Sequence, residues 1–312
     1  MVDVAELLAA YDLGSWARLS DAPVARGRVG SIWRLDTERG SWALKQVAAS
    51  AAVEPTEAVE GAAFQEAARG AGVPTPEVLR TVGGGLLARV GDGLVQLQGW
   101  VDLLEPDVAL NPVELGRLVA RLHMVPFEGR IGFDPWYVEP VTARRWREIL
   151  VELETRRAPF AAALAEEVPE LVALEGLLGA TPRKARTCHR DLWADNLRRT
   201  ATGDLCVFDF DNAGLADPSQ ELAQVLVEYA SLDPRRAPLI HAAYREAGGP
   251  GEVERPSDFA MAIAQLAHIV EEGCRRWLIA TTHDDRVDNE GWVREYLDRP
   301  LSRTLIDDLL SA

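Results

Sequence analysis

Apolar and polar positions follow two different periods along the chain. Before Trp100 the apolar residues fall in short β-rich runs, and beyond it they recur at helical spacing. Gly30 to Asp36 and Ser41 to Val47 read as strands, joined by the turn-like Thr37-Glu38-Arg39-Gly40 into a hairpin. An Ala- and Glu-rich stretch from Pro55 to Arg69 predicts one helix, opened by its proline and closed at Gly70-Ala71-Gly72. Gly85 to Val90 and Leu94 to Val101 predict two more strands about the turn Gly91-Asp92-Gly93. The N-terminal part is thus expected to be a small antiparallel sheet carrying one helix.

Helices dominate afterwards. In Pro112 to Met124 the residues Leu115, Leu118, Val119 and Leu122 line one helical face. Val141 to Arg157, Ala158 to Leu178, Ser219 to Leu232, Ala237 to Ala247, Asp258 to Thr281 and Glu290 to Ser311 fit the same reading, with Pro and Gly between many of them. One stretch breaks the pattern. From Thr187 to Phe210 the chain offers a polar loop, a strand at Asn196 to Thr200, a turn at Ala201 to Asp204 and an apolar strand at Leu205 to Phe208. The class expected is α+β. A length of 312 residues exceeds what one compact core usually holds, which favours two lobes.

Composition narrows the function classes. A formal net charge of -16 argues against nucleic acid and anionic membrane as partners, and leaves room for cationic small molecules. Cys188, Cys206 and Cys274 lack metal-ligand spacing and read as reduced thiols. The segment Met1 to Ala10 carries Asp3 and Glu6 in place of a basic leader, and no apolar run reaches about eighteen residues. A cytoplasmic protein is therefore expected.

The chemistry concentrates in His189-Arg190-Asp191-Leu192-Trp193-Ala194-Asp195-Asn196, followed after one hairpin by Val207-Phe208-Asp209-Phe210-Asp211. Phosphoryl transfer needs an acceptor hydroxyl oriented by a base, and metal ions that neutralise the nucleotide phosphates. Asp191 can accept the hydroxyl proton, while the amide oxygen of Asn196, five residues on, suits magnesium. The hairpin then returns Asp209 at the end of an apolar strand as a second magnesium ligand. Asp195 and Asp211 are either solvated or structural, with Asp211 close enough in sequence to Asp209 to contact substrate or a metal-bound water.

These residues resemble the catalytic loop and metal-binding segment of the aminoglycoside phosphotransferase family, which is itself similar to choline and homoserine kinases. The resemblance implies a protein-kinase-like fold: a nucleotide-binding lobe over residues 1–98 and a catalytic, substrate-binding lobe over 99–312. It implies Asp191 as catalytic base, Asn196 and Asp209 on magnesium, and His189 bracing the loop. Asp217-Pro218-Ser219-Gln220-Glu221-Leu222-Ala223 looks like the stretch that opens the next helix in this family. Asp209 is followed by Phe210-Asp211 instead of Phe-Gly, and no Ala-Pro-Glu follows, which disfavours a protein substrate. The implied activity is transfer of the γ-phosphate of ATP, with GTP as the alternative donor, to a small-molecule hydroxyl. The rivals are a nucleotide- or ligand-binding pseudokinase and, behind it, a protein kinase.

For the nucleotide, Lys45 in Trp42-Ala43-Leu44-Lys45-Gln46 is the candidate cation for the phosphates. By the family's layout its partner is Glu60 on the following helix, with Glu57 and Glu66 as rivals. Gly30 and Ser31 lie in a glycine-poor loop whose amides could bind phosphate. By the family's hinge, Gln98 and Trp100, in Leu97-Gln98-Gly99-Trp100-Val101, would set main-chain groups against adenine; the alternative is an ordinary edge strand. Glu271, Glu272 and Trp277, together with Asp211, are candidate contacts to a cationic acceptor, weighed against plain solvation of a helix face. His123, His241 and His268 read as packed or hydrogen-bonded. A monomer or weak homodimer is expected.

Overall fold

A computed structural model describes residues 3–26, 31–47, 55–179 and 184–312. The first part holds α1 (Val4–Tyr11), β1 (Ala17–Leu19), β2 (Ala25–Arg26), β3 (Ser31–Thr37), β4 (Gly40–Val47), α2 (Pro55–Gly70), β5 (Val78–Leu79), β6 (Ala88–Val90) and β7 (Gly93–Gly99). Among the described residues these strands form one antiparallel sheet in the order β1-β3-β4-β7-β5, with β2 on β3 and β6 on β7. The expected hairpin is β3–β4, in register Ile32 to Lys45 and Trp33 to Leu44. The small antiparallel sheet with helix α2 is as expected. Its first helix, α1, was not: the pattern reading assigned nothing to Val4–Tyr11. Asp3 caps it through Oδ1, and Leu7 and Tyr11 bury against Leu35, Leu44, Val95 and Leu97. The Tyr11 hydroxyl donates to the Val95 carbonyl at 3.0 Å.

Helices follow: α3 (Pro112–His123), α4 (Pro135–Val138), α5 (Ala143–Thr155) and α6 (Ala161–Glu175). Then come the short strands β8 (Arg186–Cys188), β9 (Leu197–Arg199), β10 (Leu205–Val207) and β11 (Gly214–Ala216). The chain ends in α7 (Pro218–Ala230), α8 (Ala237–Glu246), α9 (Ala260–Ile279), α10 (His283–Asp298) and α11 (Arg303–Ser311). The helix expected from Glu290 to Ser311 is broken at Arg299-Pro300. Proline removes an N–H and clashes with the preceding turn, so α10 stops at Asp298 and Ser302 caps a new helix. Cys188, Cys206 and Cys274 are free and buried, as expected. No helix among the described residues is long and apolar enough to cross a membrane.

The chain groups into two compact units, and these differ from a single cut after residue 98. One comprises Met1–Asp107, Met124–Ile131 and Asp191–Gly214; the other comprises Val108–His123, Gly132–Arg190 and Leu215–Ala312. Backbone bonding explains why the β9–β10 hairpin joins the first unit. Val207 N–H donates to Pro74, Leu104 N–H to Arg199, and Ala201 N–H to Asp102, while Leu103 bridges Thr200. The second unit has its own core, in which Trp146, Phe160, Leu164, Val270, Cys274, Val293 and Tyr296 from α5, α6, α9 and α10 pack together.

Helices α3 and α8 lie backbone to backbone in this unit. A Cβ on Gly116 would overlap the Ile240 carbonyl oxygen and crowd the Tyr244 nitrogen. Gly116→Ala is therefore expected to destabilise the second unit by about 1–3 kcal/mol, read as a lower urea midpoint with an unchanged slope.

Candidate active site

Alternation along β4 sets the first site residue. Leu44 is fully buried in the core of the first unit, so its neighbour Lys45 emerges on the opposite face of the sheet. There its ammonium lies 2.6 Å from Asp209 Oδ1 and 2.5 Å from Asp211 Oδ2. Burial acts against the charged amine, but the two carboxylates outweigh it and hold the Lys45 pKa above its ordinary value. For Asp211, burial raises the carboxyl pKa, Lys45 pulls it back and the Asp209 charge adds to the rise; the net direction is upward.

Asp209 follows β10 in a left-handed backbone conformation, φ 47°. The next residues, Phe210–Asn212, form one 3-10 turn. The Phe210 ring packs edge-on against Phe64 of α2, and a Cβ on Gly61 would overlap the Phe210 carbonyl oxygen. Helix α2 thus supports the turn directly, and only glycine allows this approach.

The loop from Asp191 closes on itself. Asn196 and Leu197 N–H both donate to the Trp193 carbonyl, and Phe208 N–H donates to Asn196, which ties the loop to β10. A carboxylate only accepts, so carboxamide nitrogens face Asp191: Asn196 Nδ2 lies 2.8 Å and Asn212 Nδ2 3.0 Å from its Oδ2. The Asn196 amide oxygen remains as a hard donor. It and the Asp209 and Asp211 carboxylates, which meet on Lys45, are hard oxygen donors of the kind magnesium takes. The donor chemistry therefore fits a divalent cation.

The preceding residues belong to the second unit. The Glu221 carboxylate, fully buried in α7, accepts from the backbone N–H of His189 and Arg190 and pairs with His123 Nε2 at 2.6 Å. His123 Nδ1 in turn meets the Tyr244 hydroxyl at 2.7 Å. Arg190 has φ 64°, and its guanidinium lies over Tyr137 and donates to the Gly132 carbonyl.

Several expected roles are not what the structure shows. Glu60 does not pair with Lys45. Its Oε1 accepts from the backbone N–H of Arg130 and Ile131 at 2.6 and 2.7 Å, because the ammonium is taken by two nearer carboxylates. Glu66 binds Arg80, and Glu57 is half-buried. The Gln98 carboxamide donates to Gln96 and exchanges hydrogen bonds with Gln65, while Trp100 donates its backbone N–H to Ser41 and its indole N–H to Asp102. Ser31 opens β3 opposite Arg26, and Gly30 lies outside the described residues. Glu271 is held by Arg145 at 2.5 Å and Glu272 by Arg275 and Arg276, so neither carries uncompensated charge for an acceptor. Trp277 is 6% exposed, in the core against Phe160.

Residues 22–259 match the APH phosphotransferase enzyme family. The chain belongs to this family. That membership agrees with the small-molecule kinase that the loop led us to expect, and the fold is the family's. Spectinomycin phosphotransferase APH(9)-Ia, solved with ADP and spectinomycin, is similar with a TM-score of 0.71 at 12% identity, over 99% of this chain and 97% of that one. A microcompartment-associated aminopropanol kinase gives 0.63 at 18% identity, over 98% of each chain. Amicoumacin kinase hAmiN, solved with AMP-PNP, Ca2+ and Ami, gives 0.61 at 13% identity, over 95% of this chain and 92% of that one. A comparison with curated protein sequences gave no match.

Sequence reasoning missed Asn212, Gly61 and the Glu221 brace. Glu221 stood in a recognised stretch, but nothing in spacing told that its carboxylate caps the loop 31 residues earlier. Burial works against the charged Glu221, and the His123 hydrogen bond, the His123 and His189 charges and the Arg190 N–H outweigh it, so its pKa lies below the ordinary 4.5. A depressed carboxylate stabilises the fold fully above about pH 4.5 and loses that contribution as pH falls through the lowered folded value. Wild type is expected to lose stability below pH 4.5 more steeply than Glu221→Gln, which starts about 1–3 kcal/mol less stable at neutral pH. Urea midpoints against pH test this, and equal slopes would contradict it.

Proposed function

We propose that this APH-family phosphotransferase transfers the γ-phosphate of ATP, with magnesium, to a hydroxyl of a small molecule. The observation that carries the reading is the Asp191 carboxylate, held by two carboxamides in the same unit as the Lys45–Asp209–Asp211 cluster. Asp191 takes the proton of the acceptor hydroxyl while the hydroxyl oxygen bonds to the γ-phosphorus. The bond from that phosphorus to the bridging oxygen breaks, and its electron pair leaves with ADP. Lys45 contributes positive charge to the phosphates, and Asn196, Asp209 and Asp211 would hold the metal. A bound magnesium ion neutralises phosphate charge as it is redistributed in transfer.

Nucleotides and a divalent ion bound by the similar kinases support the donor and metal assignments. ATP, not GTP, is the donor we assign, and a cytoplasmic monomer or weak homodimer fits use of that pool. Glu271 and Glu272 are arginine-paired and Trp277 is buried, so a cationic acceptor is supported by Asp211 and the net charge of -16 and not by these three.

The test is ADP release with ATP and magnesium across aminoglycosides, amino sugars, amino alcohols and macrolides. One acceptor class is expected to give turnover that falls about 100-fold or more in Asp191→Ala. Nucleotide binding without turnover on a broad acceptor panel would favour the sensor reading, and absence of nucleotide binding would sink both.

A further inference from the structure

Among the buried and polar groups that the proposed reaction does not yet use, Asn212 stands out by its contact. Its Nδ2 donates to Asp191 Oδ2 at 3.0 Å from a residue 21 positions later, onto the same oxygen that Asn196 Nδ2 reaches at 2.8 Å. Two N–H donors on one carboxylate oxygen fix the carboxylate in plane and rotation, since turning it would break both bonds.

The two asparagines are supported differently. Asn196 lies in the loop of Asp191 and also donates to the Asp191 carbonyl at 3.0 Å, so it moves with that loop. Asn212 lies on the 3-10 turn that follows Asp209 and contains Asp211, closed by Ala213 N–H on the Phe210 carbonyl. Gly61 and Phe64 of α2 back that turn. Asn212 therefore holds the base from a separate, packed element, which also carries Asp211 and so the charge on Lys45.

We propose that Asn212 is a positioning residue for the Asp191 base, coupling the orientation of that carboxylate to the turn that carries Asp211. The inference rests on the kinase reading above, and its test separates the two. Asn212→Leu removes the donor at similar volume, and Asn212→Ser retains a shorter one. The transfer reaction is expected to lose about tenfold to a hundredfold in kcat in Asn212→Leu, with partial recovery in Asn212→Ser. Affinity for ADP with magnesium, measured by calorimetry, should stay within about twofold in both, since the contact is to the base.

A second readout needs no acceptor. The side-chain amide resonance of Asn212, identified by its loss in Asn212→Ser, should shift in Asp191→Ala. Wild-type kcat in Asn212→Leu, or a parallel collapse of nucleotide affinity, would overturn the positioning role, as would an unmoved resonance. A shifted resonance in a protein without phosphate transfer would sink the kinase reading, and the role with it, while the contact stood.

Discussion

One ammonium shared between two carboxylates organises the first unit. Asp209 and Asp211 are separated by a single residue, and two like charges so placed repel unless a cation sits on both. Lys45 supplies it from a strand 164 residues away from Asp209, at 2.6 and 2.5 Å. The contact is possible because three backbones are fixed independently. β4 is held by β3 and β7, the hairpin β9–β10 by the segments at Pro74 and 102–104, and the turn at Phe210 by α2. The lysine is then a point where sheet, hairpin and helix agree. Burial is the main reason the Asp211 pKa is raised; Lys45 pulls it back and the Asp209 charge adds to the rise.

The catalytic loop depends on a second, separate constraint. The chain passes from one unit to the other between Arg190 and Asp191. On the Arg190 side, Glu221 uses a buried carboxylate to cap two consecutive backbone amides and is itself held by His123 and Tyr244. On the other side, Asn196 and Asn212 hold the Asp191 carboxylate. Arg190 and Asp209 both adopt left-handed backbone, which costs about 1–3 kcal/mol for each non-glycine residue and persists only where surrounding contacts over-determine it. For Arg190 those contacts are Glu221, Gln265, Gly132 and Tyr137. Strain and bracing coincide at the residue before Asp191.

Charge in this chain is mostly spent within it. Glu60, placed by family layout on the helix that should serve Lys45, instead closes the backbone at Arg130 and Ile131. Glu271 and Glu272 are neutralised by arginines on their own or a facing helix. An acidic stretch read from sequence counts carboxylates without their partners. Arg145 lies 126 residues before Glu271, so no local window could have paired them. Aromatic character misleads similarly: Trp277 fits a ligand contact by type, yet its ring packs with Phe160.

The amino-acid sequence by itself determined the fold class and the family motifs around Asp191 and Asp209. Period-2 runs before Trp100, helical periods after it and the paired motifs around Asp191 and Asp209 are local patterns, set by side-chain alternation and loop chemistry over a few residues. It carried the hairpin β3–β4, helix α2 and the site of Lys45 nearly to the residue. The break at Pro300 was equally local and could have been read. Tertiary structure alone decided which glutamate meets which cation, that Gly61 must lack a side chain, and that Asn212 turns back onto Asp191. Those are contacts between segments distant in sequence. Their distances follow from how helices and strands pack, and packing is a property of the whole chain that no short run of residues encodes.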